Sequence, residues 1–252
     1  LADLHFTPTR DSDANLIREG VPPEHIEVTG NTVIDALLWM RDKLHRDNWR
    51  PAPESPLKVL SDNQRMVLIT GHRRENFGSG FERICLALAE LALRYPDVQF
   101  LYPVHLNPQV QHAVYSVLSG RDNIHLVAPQ DYPHFVWLMN RAHIILTDSG
   151  GVQEEAPHLG KPVLVMRDVT ERPEAVAAGT AQLVGTAPER ILGAARRLLD
   201  DPDAYADVRR RGNPYGDGHA CRRIVDALCG RPVAEFAPPP LQPASVPSLD
   251  FA

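Results

Sequence analysis

The chain has 252 residues, 43% of them apolar and 23% charged, with a formal net charge of −6. These are the proportions of an ordinary globular protein of one large or two modest domains, and the lack of any basic block excludes nucleic acid as the main partner. Three cysteines without C-x-x-C spacing give neither a disulfide framework nor a zinc site and fit a reducing cytoplasm.

In chain order, residues 4–8 read as a short strand and 11–18 as a helix ended by Gly20. A second strand follows at 26–30. Asn31 and Thr32 can cap a helix over 33–44, whose apolar positions include Val33, Leu37, Leu38 and Met40. Segment 47–64 is polar, holds three prolines and reads as a linker. Beyond it, strands are expected at 66–70, 98–104, 123–127, 143–147 and 162–166. They alternate with helical patterns at 81–94, 108–118, 132–141 and 151–158. The near-continuous apolar runs are those of parallel strands covered on both faces, so 65–211 is expected to be a Rossmann-like, doubly wound α/β domain. Further helices are expected at 190–199, 204–210 and 219–228, the last within a segment 212–229 that packs back toward the N-terminal part. From 230 to 252 the chain turns to Pro, Ala and Ser and reads as a disordered tail. No apolar run approaches the roughly 20 residues that span a bilayer.

Two stretches carry the chemistry. In Val67-Leu-Ile-Thr-Gly-His-Arg-Arg-Glu-Asn-Phe77, an apolar strand runs into a glycine and a dense ionisable cluster, at the strand end where open α/β sheets bind ligands. His72 with two arginines suits an anionic substrate whose leaving group needs a proton or charge stabilisation. The plain alternative is a solvated charged loop. In Asp148-Ser-Gly-Gly-Val-Gln-Glu-Glu155, Ser149, Gly150 and Gly151 let backbone approach a ligand where a helix begins, which makes a phosphate site. Glu155, about one turn on, can accept ribose hydroxyls; acids there also serve simply to complement the helix dipole. Arg172 follows the next strand and can clamp a diphosphate, although a lone arginine is more often a surface residue. Gln130 and Phe135 pair an amide with a flat ring able to hold a uracil, while Phe135 equally suits the core.

Other chemistries lack their signatures. There is no G-x-G-x-x-G, no G-x-x-x-x-G-K-[ST], no H-E-x-x-H and no G-x-S-x-G, which disfavours a P-loop NTPase, a metalloenzyme and a serine hydrolase.

Five ordered motifs carry a resemblance: Gly71-His-Arg-Arg-Glu-Asn, Pro103-Val-His-Leu-Asn-Pro108, Thr147-Asp-Ser-Gly-Gly-Val-Gln-Glu-Glu-Ala-Pro157, Thr170-Glu-Arg-Pro-Glu174 and Asn213-Pro-Tyr-Gly-Asp-Gly218. From about Leu4 to Leu228 the chain resembles the bacterial non-hydrolysing UDP-N-acetylglucosamine 2-epimerases. That resemblance implies a GT-B arrangement of two facing Rossmann-like domains, with UDP mostly on the C-terminal one. It implies that His72 meets the diphosphate and assists the leaving group, and that Gln130 and Phe135 hold uracil. Ser149, Gly150 and Gly151 would cradle phosphates, Glu155 the ribose and Arg172 the diphosphate. Arg73 and His105 match positions that in some members bind a second, activating UDP-GlcNAc. The reaction implied interconverts UDP-GlcNAc and UDP-ManNAc in the cytoplasm, for cell-surface polysaccharide precursors, with no cofactor and no metal; a homodimer is consistent with it.

Against that family, residues 1–46 are expected to be only a remnant of the N-terminal domain, since the sequence starts without Met in what reads like the middle of a domain. The Asp and Glu that the resemblance assigns to C2 proton transfer have no counterpart here, so the chain alone is expected to bind UDP weakly and turn over poorly. Competing readings are a UDP-sugar-binding fragment without activity, the hydrolysing epimerase, and a GT-B glycosyltransferase.

Overall fold

All strand pairs among the described residues are parallel. The computed structural model describes residues 2–61 and 63–239. A small sheet pairs β1 (His5–Thr7) with β2 (Ile26–Val28), joined by helix α1 (Arg10–Arg18). Helix α2 (Thr32–Arg46) begins where Asn31 accepts the Val33 N–H, and leads out of this sheet. The main sheet and its helices are β3 (Met66–Thr70), α3 (Ser79–Arg94), β4 (Gln99–Pro103), α4 (Pro108–Leu118), β5 (Ile124–Val127), α5 (Tyr132–Arg141), β6 (Ile144–Thr147), α6 (Gly150–Glu155), β7 (Val163–Val165), α7 (Pro173–Ala177), β8 (Ala181–Leu183) and α8 (Pro188–Asp200). Helices α9 (Pro202–Arg209) and α10 (Ala220–Leu228) follow.

The spatial order is β5-β4-β3-β6-β7-β8. Strands run outward in one direction from β3 and in the other from β6, so the order reverses between these two. That switch point opens a crevice beyond the strand carboxyl ends, where open parallel sheets bind ligands.

Alternate residues of each strand enter different cores, because side chains point to opposite faces of a sheet. Val67, Ile69, Phe100, Tyr102, Ile144 and Leu146 pack with α3, α4 and α8 on one face. Met66, Leu68, Leu101, Ile145, Val163 and Val165 pack with α2, α5 and α6 on the other. Burial on both faces is why the strands carry unbroken apolar runs. Ile34 and Leu37 of α2 are wholly buried in the second core, so this helix is part of the main domain's packing. Helix α10 lies on α2, where Asp35 accepts the N–H of Ala220 at 3.1 Å and of Cys221 at 2.9 Å.

Three departures from the sequence reading have local causes. Helix α6 stops at Glu155 and tightens into a 3₁₀ turn over Ala156–Leu159. Pro157 lies in that turn, and a proline has no N–H to continue an α-helical ladder. Strand β8 and helix α7, of three and five residues, lie in a stretch read without regular structure. The third concerns the tail. Residues 231–239 have no regular structure but are laid against β2: the Phe236 N–H donates to the Val28 carbonyl at 2.8 Å and its ring is 1% exposed. The Arg223 guanidinium sits 5.7 Å from that ring centroid, and Glu235 pairs with Arg10 at 2.7 Å. One aromatic side chain with a site to fill outweighs the bias of a Pro/Ala-rich run. Positions 240–252 lie outside the described residues.

Phe236→Ala should therefore lower stability by roughly 2–3 kcal/mol, somewhat less than a central ring because the strap can peel away. Urea unfolding measures this, and an unchanged midpoint would show that the strap contributes nothing.

Candidate functional site

The crevice between β3 and β6 is shaped by two chain segments that leave neighbouring strands. At the end of β3 the backbone must pass under Tyr102, whose hydroxyl donates to the Gly71 carbonyl at 3.0 Å. A Cβ at position 71 would lie 2.8 Å from that hydroxyl and 3.2 Å from Phe81, so only glycine fits. On the neighbouring strand, Asp148 is fully buried, and its Oδ2 accepts the backbone N–H of His72 at 2.9 Å and of Arg73 at 2.8 Å. These bonds fix the loop that carries the ionisable cluster. The His72 side chain remains 42% exposed and its ring stacks on His105, with centroids 5.4 Å apart and planes at 16°. His105 is itself anchored, because its Nδ1 accepts the Asn107 N–H at 3.0 Å.

After β6, the Ser149 N–H donates to the Thr147 hydroxyl at 3.0 Å, and α6 starts at Gly150. A Cβ at 150 would come within 3.1 Å of Glu171 Oε1 and 3.5 Å of Arg73 Nη2, with Arg172 just beyond at 3.9 Å. Two guanidiniums and a carboxylate thus crowd the start of this helix. Glu171 joins them: its Oε1 pairs with Arg73 at 2.8 Å and its Oε2 with Arg167 at 2.5 Å. Arg167 is 6% exposed and also holds Glu75 at 2.5 Å. Burial pushes the Glu171 carboxyl up, but its own backbone N–H, Arg167 and Arg73 outweigh this and bring it down to about 2. Arg172 pairs with Glu154 and with the Glu171 carbonyl, so it faces α6 as well as Gly150.

The cleft itself, about 270 Å³, is lined by Thr70, Gly71, His72, Pro103, His105, Pro129, Gln130, Phe135, Ser149, Gly151, Val152 and Glu155. Seven residues singled out from sequence therefore meet in one place: His72, His105, Gln130, Phe135, Ser149, Gly151 and Glu155. Gly150, Arg73 and Arg172 flank it without lining it. Phe135 is half-buried against the second core yet presents a surface to the cleft, so both sequence readings of it apply. Gln130 Nε2 donates to the Ala128 carbonyl at 2.7 Å, which leaves its carbonyl oxygen free of that bond. Glu155 is 8% exposed, and Oε2 accepts the Tyr132 hydroxyl at 2.8 Å. Burial raises its carboxyl, Tyr132 opposes the rise and Glu154 adds to it. A larger hollow of about 510 Å³ lies between α2 and α5, lined by Arg41, Trp49, Trp137 and others, away from the strand ends and their motif residues.

Two further motifs act as struts. Glu154 accepts from Asn31 Nδ2 at 2.9 Å, and its backbone carbonyl accepts from Asn213 at 2.8 Å. Glu174 accepts from Thr9 at 2.6 Å and from the Tyr215 hydroxyl at 3.1 Å. Asn213, Tyr215 and Glu174 thus tie α6 and α7 to the small sheet and α2. Sequence reasoning passed over Asp148, Glu171 and Arg167 as functional residues. Asp148 stood inside a recognised motif, but the direction of its side chain depends on the neighbouring strand.

No helix among the described residues is long and apolar enough to cross a membrane. A family model described as UDP-N-acetylglucosamine 2-epimerase matches residues 1–229. The UDP-N-acetylglucosamine 2-epimerase of Yersinia pestis is 59% identical over 229 residues, covering 90% of this chain and 61% of that protein. Among solved structures, a UDP-GlcNAc 2-epimerase from Neisseria meningitidis bound to UDP-GlcNAc superposes with a TM-score of 0.86 at 48% identity, covering 91% of this chain and 62% of the other. A Staphylococcus aureus protein solved with UDP gives 0.85 at 40% identity, covering 94% and 64%. This chain spans about 61% of the length of the relatives it matches. The parallel α/β domain has the Rossmann-like form of the GT-B epimerases, and the chain belongs to the UDP-N-acetylglucosamine 2-epimerase family.

Proposed function

We propose that this chain supplies the UDP-holding part of a UDP-N-acetylglucosamine 2-epimerase active site, one that interconverts UDP-GlcNAc and UDP-ManNAc in the cytoplasm. The observation that carries the reading is the convergence of His72, Gln130, Phe135, Ser149, Gly151 and Glu155 on one cleft at the switch point. Uracil would lie against Phe135 and Gln130, and ribose hydroxyls would bond to Glu155. The diphosphate would face Ser149 and the two glycines, with His72 above and Arg172 at the flank.

In the reaction a base takes the C2 proton while the C1–O bond breaks, giving 2-acetamidoglucal and UDP. Return of a proton to the other face of C2, with re-addition of UDP at C1, gives the epimer. The residues here serve the leaving group. Electrostatic complementarity to the developing charge on the departing diphosphate lowers the barrier, and firm retention of UDP keeps elimination from ending as hydrolysis. Of the residues lining the cleft, Glu155 is the one carboxylate, and Tyr132 holds it on the ribose side. With Glu155 assigned to the ribose and His72 to the diphosphate, this reading gives the C2 acid/base pair to groups outside this cleft.

Proton NMR of UDP-GlcNAc in D₂O with the 252-residue chain tests this division. Broadened uracil signals with the C2 proton retained are expected. Deuterium at C2 of newly formed UDP-ManNAc would refute the division of labour, and sharp, unperturbed uracil signals would sink the UDP site itself.

Glu155 gives a second test. Its folded carboxyl titrates above the unfolded value, so its contribution to stability is full below the unfolded pKa and is lost as pH rises through the folded one. Glu155→Gln should raise stability near pH 7, and the gain should fade as pH falls through the folded pKa. The same change should weaken UDP binding roughly tenfold, the loss of one charged acceptor. Thermal melts across pH together with titration calorimetry decide both points: a destabilised variant contradicts the burial argument, and unaltered affinity contradicts the ribose contact.

A further inference from the structure

The carboxylate of Asp148 is used unevenly. Oδ2 accepts two backbone N–H groups, whereas Oδ1 is buried and has no hydrogen-bond partner. A buried carboxylate oxygen left unpaired costs free energy, so native structures pair such atoms. The Tyr102 hydroxyl, which is close by, is committed to the Gly71 carbonyl. The nearest charge partner of Oδ1 is His72 Nδ1 at 3.6 Å, beyond a hydrogen bond by well under one ångström. The His105 ring stacks on His72, with centroids 5.4 Å apart, on an imidazole that already lies beside Asp148.

We propose that Asp148 is the positioning residue for His72: its Oδ1 accepts the Nδ1–H of the imidazole, leaving Nε2 as the ring nitrogen that faces the cleft. The backbone bonds to Oδ2 and the side-chain bond to Oδ1 would then set both the place and the tautomer of one histidine from a single buried carboxylate. Within the function proposed above, on which only this last step rests, Nε2 is the atom that meets the departing diphosphate.

The test is the tautomer of His72 in the ¹⁵N-labelled 252-residue chain at about pH 8, above the ordinary histidine range. Two-bond ¹H–¹⁵N correlation of the rings reads it, with the signal identified by its loss in His72→Gln. The neutral wild-type ring should carry its proton on Nδ1. In Asp148→Asn the amide oxygen can keep both backbone N–H bonds, while its NH₂ group donates to Nδ1 and moves the ring proton to Nε2, the reversal such a substitution produces in a hydrolytic triad. A wild-type ring protonated on Nε2 overturns the proposal whether or not the Asn variant folds. So does a folded Asn variant with the wild-type pattern. Neither reading needs UDP. Failure of UDP to bind leaves the Asp148–His72 pair standing and removes the function, whereas UDP binding beside an Nε2–H ring removes the pair and leaves the function.

Discussion

A fully buried carboxylate at the centre of the sheet, that of Asp148, holds the site together. The order of the strands reverses between β3 and β6, so these neighbours end side by side and their following segments part to open a crevice. Without a tie across the gap, the loop after β3 would be a charged surface turn free to move. Two backbone N–H bonds from His72 and Arg73 to Asp148 Oδ2 supply that tie. Charge-assisted bonds of this kind are stronger than neutral ones, and their burial shields them from water. Gly71, Tyr102 and Phe81 complete the fixture from the other side, because the tyrosine hydroxyl occupies the space a side chain would need.

Acidic residues around this fixture divide between cleft-facing and structural positions. Glu155 looks into the cleft, and Glu154, its neighbour on α6, looks away to Asn31 and Arg172. Glu174 joins Thr9 to Tyr215. Buried carboxylates are costly unless each oxygen is paired, and here the partners come from segments distant in sequence. The same bonds that satisfy the charges therefore fasten the small sheet and α2 to the main α/β domain. The cations at the start of α6 are likewise paired, Arg73 with Glu171 and Arg172 with Glu154.

The main sheet was readable because each of its central strands is buried on both faces and must be apolar throughout. Met66-Val-Leu-Ile shows this directly, with Met66 and Leu68 in one core and Val67 and Ile69 in the other. Strand β8 lacked that mark: Ala181-Gln-Leu183 is an edge strand whose glutamine is exposed, and pairing with β7 decides its conformation. Phe236 was missed for a related reason. Its docking beside β2 depends on where α10 delivers the chain, which no local pattern around residue 236 records.

The site residues were readable as types and spacings, since strand-end glycines, a histidine beside arginines and an early helical glutamate each imply a chemistry. Their directions were not. Asp148 could point to either side of the strand end, and the choice follows from the register Thr70↔Thr147, which places its side chain beneath the β3 loop. That register couples residues 77 positions apart, as the Thr70–Thr147 hydroxyl contact shows. A motif read along the chain reports which groups are available, whereas the pairing of β3 with β6 decides which of them face the cleft and which hold those in place.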